Sequence, residues 1–225
     1  MFLQASGFDV ADLSVALQTH TNTVAVATSA DRGRGLYPAF DGFPGTDGMV
    51  TNDVSVALGV IVADCVPLVL YDRRVHALGV VHAGWRGTVG QIGRRAVAAM
   101  TQAFDSDPED VVAGIGPSIG PCCYEVGDEV IERWKEQAVE NGQRAVIRRD
   151  SSYHFDLWNA NRLSLIEAGV SRQQIDISGV CVRCDMDRYF SYRAARQGKA
   201  LPGRMLMVAQ LLPRNDNLNY GQEST

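Results

Sequence analysis

The sequence His82-Ala83-Gly84-Trp85-Arg86-Gly87 joins two segments whose hydrophobic patterns differ. The preceding run, 75–81, is mostly apolar, which predicts a buried strand. The following segment, 88–104, repeats apolar residues every three or four positions, which predicts an amphipathic helix. The glycines permit a tight turn, and the start of a helix offers free N–H groups and a partial positive charge. We therefore expect an active-site corner that contains His82 and Arg86.

Further apolar and β-branched runs predict strands at 23–28, 54–62, 66–71, 111–115, 175–182, 189–193 and 205–212. Helices are predicted at 12–17, 128–139 and 157–168, the last with Gly169 as its C-terminal cap. Pro67 argues against a central strand unless it stands where that strand begins. Because the strands outnumber the helices and do not alternate with them, the expected fold class is α+β, in a single domain.

The composition narrows the partners and the compartment. The net charge is −5 and no lysine or arginine cluster stands out, so a nucleic-acid partner or an anionic membrane is not expected. The first residues lack the pattern of a signal peptide, and no apolar run is long enough to span a bilayer, which predicts a cytoplasmic protein. We expect one domain over 1–212 and a polar, disordered tail over 213–225.

The chain has five cysteines, an odd number that excludes complete disulfide pairing within one chain. Cys181 and Cys184 form one C-x-x-C pair without a second, so packing residues are expected there. Cys122 and Cys123 are adjacent, and on a strand their side chains would point to opposite faces. We therefore do not expect that pair to chelate a single ion.

Three candidate metal ligands lie beside predicted strands: His20, Cys65 and His82. Their spacing is too wide for a zinc finger, but converging strands would make a two-His, one-thiolate site with an open position, as in catalytic zinc sites. Zinc would lower the pKa of bound water to about 7. The same residues also suit copper with a weak axial methionine, or a Cys65 nucleophile with His82 as its base. The spacing alone does not separate these three possibilities.

Charged residues near these ligands are the next candidates. Asp64 precedes Cys65 and is expected either to orient a histidine ligand, to shuttle a proton, or to cap the loop. Arg86, Arg193 and Arg204 are candidate anion binders, because the planar guanidinium suits phosphate or carboxylate. Only Arg86 is marked by its position, inside the glycine-containing corner.

Six ordered motifs resemble those of the laccase-domain family, whose members are also labelled multicopper polyphenol oxidases or purine nucleoside phosphorylases. The resemblance extends from His20 to about Gln210. The motifs are Gln18-Thr19-His20, Asp47-Gly48-Met49-Val50-Thr51, Ala63-Asp64-Cys65-Val66-Pro67, His82-Ala83-Gly84-Trp85-Arg86-Gly87, the run from Gly116 to Val126, and Phe190-Ser191-Tyr192-Arg193.

The resemblance implies a layered α+β fold with mixed sheets flanked by helices, and a metal, usually zinc, on His20, Cys65 and His82. It implies phosphorolysis of adenosine, inosine and methylthioadenosine, and deamination of adenosine. Other members are described as copper-dependent phenol oxidases or as editing factors for peptidoglycan precursors, and the fold has been compared to cysteine hydrolases. This chain departs from the family pattern ahead of Gln18, where a hairpin segment is mostly missing, at Val182 in place of threonine, and at Ala194 in place of arginine.

The leading hypothesis is a zinc-dependent enzyme acting on small molecules, namely purine nucleosides and phosphate. Its expected catalytic residues are Asp64, Cys65, His82 and Arg86, with Arg193 and Arg204 joining Arg86 in binding. Copper is the alternative metal, for an oxidase of phenols. A full multicopper set needs more histidines than the four present, which are His20, His76, His82 and His154.

Overall fold

A computed structural model describes residues 7–36, 41–137 and 139–214. Its thirteen strands are β1 Leu13–Leu17, β2 Val24–Val26, β3 Phe43–Pro44, β4 Gly48–Thr51, β5 Ala57–Val62, β6 Val66–Asp72, β7 Ala77–Ala83, β8 Val111–Ile115, β9 Glu125–Val126, β10 Val146–Arg149, β11 Ser152–Phe155, β12 Ile175–Ile177 and β13 Met205–Gln210. Its α-helices are α1 Trp85–Val89, α2 Ile92–Phe104, α3 Asp128–Glu136, α4 Leu157–Glu167 and α5 Tyr192–Arg196.

The strands form three sheets. A six-stranded mixed sheet has the order β12-β8-β6-β7-β4-β2, a four-stranded mixed sheet the order β13-β5-β1-β3, and a small antiparallel sheet the order β10-β11-β9. Parallel and antiparallel pairs occur together in both larger sheets. The α+β class and the mixed sheets predicted from the sequence are therefore confirmed.

Strand β7 separates two hydrophobic cores. Side chains alternate between the faces of a strand, so neighbouring residues enter different layers. Val81 packs on one side with residues of α2 and α4, whereas Leu78 and Val80 pack on the other side with residues of β5. The chain is thus layered, with helices on one face of the six-stranded sheet and the four-stranded sheet on the other. His82 shares the face of Leu78 and Val80.

The predicted corner lies where β7 ends and α1 begins. The helix predicted over 88–104 is two helices, because Gln91 has φ 56° and breaks the helix after Gly90. Strand β6 pairs centrally between β7 and β8, and Pro67 is the second residue of β6. A proline is tolerated there because the ladder with β8 begins only at Leu68.

Two element predictions are wrong. The segment 12–17 is not a helix, because Leu13–Leu17 is the strand β1, whose pairing with β5 buries it. The segment 189–193 is not a strand, because Ser191 caps a helix start by accepting a hydrogen bond from Ala194 N at 3.2 Å. Tertiary pairing and a cap thus override short local patterns.

Other boundaries differ less. The strand predicted over 175–182 ends at Ile177, and residues 178–191 form a loop. Gly169 has φ +97° after α4, which confirms the predicted cap. The predicted tail lies outside the described residues beyond Arg214. Among the residues that are described, no helix is both long and apolar enough to cross a membrane.

Candidate active site and metal centre

His82 is held by a buried carboxylate that the sequence analysis did not single out. Its Nδ1 lies 2.7 Å from Asp47 Oδ1, and its backbone N–H donates to Asp47 O at 2.7 Å. Both side chains are almost fully buried. Because the carboxylate accepts, Nδ1 carries the proton and Nε2 is left free as a ligand. Asp47 therefore fixes the ring and its tautomer.

His20 is positioned by the same carboxylate and by its own backbone. Asp47 accepts hydrogen bonds from the backbone N–H groups of Thr19, His20 and Thr21, at 3.1, 3.0 and 2.7 Å. His20 itself has φ 63°, in the left-handed region. Just before it, the Gln18 side chain donates to Ile61 O and accepts from Ile61 N, each at 2.7 Å. These bonds tie the loop after β1 to the end of β5.

Cys65 completes a compact group with the two histidines. Its sulfur lies 3.9 Å from His20 Nε2, the two imidazole ring centres are 4.9 Å apart, and the ligand atoms of all three residues lie within 4.8 Å of one another. The structure thus brings together the predicted ligands although they are far apart in sequence. A donor set of two imidazoles and one thiol fits a zinc ion, and equally a copper ion.

Gly84 leaves the space that this group occupies. A Cβ built on Gly84 would lie 3.0 Å from His20 Cδ2 and 3.1 Å from the Cys65 sulfur. Both distances are tighter than ordinary van der Waals contact, and neither neighbour is free to move without displacing a candidate ligand. The first glycine of the predicted corner therefore serves close approach to the site.

Burial and neighbouring charges shift the pKa values of three groups in the site. Burial would raise the pKa of Asp47, but hydrogen bonds from His82 and Thr21 lower it to about 2. Desolvation and the neighbouring His82 lower the pKa of His20, which keeps its imidazole neutral. Burial, and the charges of Asp64 and Asp47, raise the pKa of Cys65 to about 12. Without a cation the thiol stays protonated at neutral pH, which argues against Cys65 as a free thiolate nucleophile.

Asp64 does not orient a histidine, so that part of its prediction is wrong. Its Oδ1 accepts from Ser191 Oγ at 2.7 Å and its Oδ2 accepts from Arg193 N at 2.6 Å. Its carbonyl accepts from Ile119 N at 2.9 Å. Asp64 therefore connects the loop before β6 to the start of α5. It also lines the pocket beside Cys65, where the predicted role as a proton shuttle stays a prediction.

The three predicted anion-binding arginines line the same pocket. Arg86 stacks on Trp85, Arg193 on Tyr124 and Arg204 on Tyr192, with the guanidinium carbon 4.4, 5.3 and 5.4 Å from the respective ring centres. None of the three has a carboxylate partner among residues 7–36, 41–137 and 139–214. Their charges are therefore available to an anion.

The pocket has a volume of about 940 Å³, and the candidate metal ligands, Asp64 and the three arginines all line it. His20, Cys65 and His82 lie together in it, and apolar side chains such as Ile61, Ile119 and Leu157 complete the lining. A volume of this size is within the range of small-molecule sites. Every residue that the sequence analysis proposed for the site lines this pocket.

The four cysteines outside the pocket lie together, whereas the sequence analysis expected no shared metal site among them. Cys122, Cys123, Cys181 and Cys184 lie with their sulfur atoms within 4.8 Å of one another. The adjacent pair lies in a turn rather than on a strand, so both thiols reach the same side. The two pairs are far apart in the sequence, and the pairing of Ser118 with Cys181 helps to bring their loops together.

Comparison with known proteins places this chain in a family. The family model described as multi-copper polyphenol oxidoreductase laccase matches residues 1–212. The chain belongs to this laccase-domain family. It is 41% identical over 189 residues to the protein named purine nucleoside phosphorylase YlmD of Bacillus subtilis, covering 84% of this chain and 67% of that protein.

One further relative and one solved structure are also similar to this chain. The protein named adenosine deaminase RL5, from an unknown prokaryotic organism, is 39% identical and is matched over 83% of this chain and 71% of its own length. The crystal structure of the Bacillus licheniformis hypothetical protein YfiH superposes with a TM-score of 0.89 at 33% identity, covering 94% of this chain and 78% of that one. The family resemblance inferred from the sequence motifs is therefore confirmed.

Proposed function

We propose that the chain is a zinc-dependent purine nucleoside enzyme. It would catalyse phosphorolysis of adenosine, inosine and methylthioadenosine, and deamination of adenosine. The observation that carries the proposal is the group His20, Cys65 and His82 in a pocket with three arginines that lack carboxylate partners. The names of the relatives support the same two reactions. The proposed functional unit spans 1–212, the range that the family model matches.

His20, Cys65 and His82 would hold the zinc ion. When bound, zinc supplies a Lewis acid that activates water at neutral pH. Asp47 keeps His82 in the tautomer that presents Nε2, and the neutral His20 ring needs no proton loss before it binds a metal. In the described ranges, His76 is engaged by Tyr71 and Leu212 O, and His154 by Pro121 O. This distribution favours one mononuclear site over a multicopper array.

Phosphorolysis requires an anion beside the ribose. Arg86 and Arg193 would hold phosphate through charge-assisted hydrogen bonds, with Arg204 at the exposed rim. A phosphate oxygen would bond to C1′ of the ribose while the bond from C1′ to the purine nitrogen breaks, yielding ribose 1-phosphate and the free base. Stacking on Trp85, Tyr124 and Tyr192 restricts the arginines before substrate arrives, which lowers the entropic cost of binding.

Deamination requires proton transfer at the adenine amino group. Asp64 would move that proton, since its carboxylate lines the pocket and is fixed by Ser191 and Arg193. Water adds at C6 of the purine, and ammonia leaves after its nitrogen is protonated. Asp64→Asn should lower the deamination kcat by roughly 10²–10⁴-fold with unchanged zinc content. Ser191→Ala removes one hydrogen bond to the Asp64 carboxylate but leaves the carboxylate charged. Its deamination kcat should therefore fall much less than that of Asp64→Asn.

The deciding experiment is product analysis by chromatography. Zinc-loaded protein is incubated with adenosine, with and without phosphate, beside a His82→Ala control. Adenine that requires phosphate supports the phosphorylase, and inosine without phosphate supports the deaminase. If neither product exceeds the control, the proposal fails. Copper-loaded protein that oxidises phenols but leaves nucleosides intact would favour the oxidase instead.

A further inference from the structure

The four cysteines outside the pocket form a group that the proposed function does not use. We name Cys122, Cys123, Cys181 and Cys184 the cysteine cluster. Two come from the loop between β8 and β9, and two from the loop between β12 and α5. Their ligand atoms all lie within 4.8 Å of one another, and all four are free thiols. The cluster shares no residue with the group of His20, Cys65 and His82.

The distances fit four ligands of one ion. Cys184 Sγ lies 3.6 Å from Cys122 Sγ and 3.4 Å from Cys123 Sγ. A zinc ion with tetrahedral bonds of about 2.3 Å to sulfur holds its four sulfurs about 3.8 Å apart. A disulfide would need about 2.05 Å. An iron–sulfur cluster distributes its cysteines over several iron atoms and would spread the sulfurs further.

The backbone around the cluster is arranged to receive thiolates. Gly120 N donates to Cys181 Sγ at 3.2 Å, and the backbone N–H groups of Arg183 and Cys184 interact with the same sulfur. The turn within the C-x-x-C pair closes with Cys184 N donating to Cys181 O at 3.0 Å. Such a turn, with two residues between the ligands, is the usual spacing of structural zinc sites.

A glycine allows the two loops to meet. A Cβ on Gly120 would lie 2.7 Å from the Trp158 ring and 3.0 Å from Cys181 Cβ. The loops are also joined by backbone bonds, from Ser118 N to Val180 O at 3.2 Å and from Val182 N to Ser118 O at 3.0 Å. The cluster is therefore built on a fixed junction between the loops.

Two arginines, Arg183 and Arg149, lie beside the cluster. The Arg183 guanidinium interacts with the Cys123 side chain, and its Nη2 donates to Gln197 Oε1 at 2.8 Å. Its Nε is buried and lacks a hydrogen-bond partner among the described residues. Arg149 Nη1 donates to Cys122 O at 3.4 Å. Four thiolates on a divalent cation carry a net charge of about −2, which these guanidinium groups would offset.

From these observations we propose that the cysteine cluster is a closed, structural Zn²⁺ site. The ion joins the loop that carries Ile119 and Tyr124 to the loop that leads into Ser191 and Arg193, so it braces two walls of the pocket. With all four positions taken by sulfur, no place remains for water or substrate, and the role is structural. Cys122 and Cys184 are exposed, which gives the ion a route from solvent.

Metal content tests the proposal on the full chain. Protein purified under reducing conditions and measured by mass spectrometry of its metals should hold about two zinc ions per chain. Cys184→Ser and Cys122→Ser should each remove about one equivalent. Cys65→Ser is the matched control, since it should remove the other equivalent and leave the cluster loaded. The proposal is overturned if His82→Ala contains no zinc although the wild type does. It is also overturned if the cluster holds iron in place of zinc.

Cobalt substitution gives a readout that does not depend on activity, and its first measurement uses the wild type alone. Co²⁺ added to metal-free wild type should give the strong sulfur-to-metal charge-transfer and visible bands of a tetrahedral four-thiolate complex. His82→Ala should retain those bands, and Cys184→Ser should lose them. Absence of the bands from correctly folded, fully reduced wild type overturns the proposal. So does intact-mass evidence for disulfides among the four cysteines before any oxidant is added. Because the two sites share no ligand, inactivity toward nucleosides leaves this test unaffected.

Discussion

Asp47 connects both histidines of the candidate metal centre. Its carboxylate receives five hydrogen bonds, four from Thr19, His20 and Thr21 and one from His82. A buried carboxylate is stable only when such bonds replace its hydration. One side chain thereby sets the tautomer of one candidate ligand and the backbone position of the other.

Replacing Asp47 with asparagine preserves its size but removes its charge. Asp47→Asn should weaken zinc binding by about 10–100-fold, as is common when the partner of a histidine ligand is lost. Competition with a chromophoric chelator measures the Kd. Asp110→Asn provides a control, because Asp110 pairs with Arg74 at the surface, away from the pocket. Equal zinc affinity of Asp47→Asn and wild type would show that the carboxylate does not organise the ligands.

The second prediction at this scale concerns the Cβ atom that an alanine would add at Gly84. Gly84→Ala would press a methyl group against the His20 ring and the Cys65 sulfur. Zinc affinity should fall by at least roughly tenfold, because the ligands must move apart to accommodate it. Gly127→Ala is the matched control, since a Cβ there meets no atom within 4 Å. The same titration compares the two variants, and a normal affinity for Gly84→Ala would contradict the crowding argument.

Sequence reasoning found the candidate ligands but not what holds them. Histidines and a cysteine beside apolar runs are recognisable from residue type alone. Asp47 precedes a strand like many loop carboxylates, and its contact with His82 spans 35 residues, which only the fold creates. The cysteine cluster was missed for a related reason. Whether adjacent cysteines diverge or converge depends on whether they lie on a strand or in a turn.

At the level of elements, long apolar strands were predicted well because their burial decides their structure. Strands β6 and β7, of seven residues each, lie largely buried in the six-stranded sheet, and their apolar patterns are continuous. The segments 12–17 and 189–193 were not distinguishable, because each mixes polar and apolar residues in a run so short that it fits either period. Strand β1 was predicted as a helix and α5 as a strand for this reason, and both lead directly into the site.

The end of β1 suggests a test of how an element positions a ligand. Gln18 mimics a neighbouring strand by pairing with both backbone groups of Ile61. Gln18→Ala should lower the free energy of unfolding by about 1–3 kcal/mol through the loss of these bonds, and should also weaken zinc binding because His20 is two residues away. Urea unfolding and the chelator titration measure the two effects.

Gln210→Ala is the control for that substitution. Gln210 lies in β13 and donates a single side-chain bond to Val54 O at 3.0 Å, far from the candidate ligands. We expect a stability loss of about 1 kcal/mol there and no change in zinc affinity. If both variants lose stability but neither loses zinc affinity, Gln18 supports only the sheet and does not position His20.

At the scale of the whole molecule, the layers explain why a pocket forms at this place. The four-stranded sheet supplies His20 from the end of β1, and the six-stranded sheet supplies Cys65 and His82 from the ends of β6 and β7. The loop before β9 supplies Tyr124, and the first turn of α5 supplies Arg193. The site thus depends on the packing of both sheets, and its charges are coupled to global stability.

That coupling predicts how stability depends on pH. The pKa of Asp47 is about 2 in the folded chain, against an ordinary value of 3.8. A carboxyl group with a lowered folded pKa stabilises the folded state above its unfolded pKa, and this contribution is lost as the pH falls toward the folded value. In metal-free protein, wild type should therefore be more stable than Asp47→Asn above about pH 4, and the difference should shrink toward about pH 2.

Urea unfolding in the presence of a chelator, repeated between about pH 6 and pH 2, measures this difference. Other carboxylates with lowered pKa values, such as Asp31 and Asp53, titrate in both proteins and cancel when the two curves are subtracted. A difference that stays constant over the whole range would mean that Asp47 contributes through its shape rather than through its charge. A difference that narrows only below about pH 4 would assign the effect to ionisation of the carboxylate that holds His82.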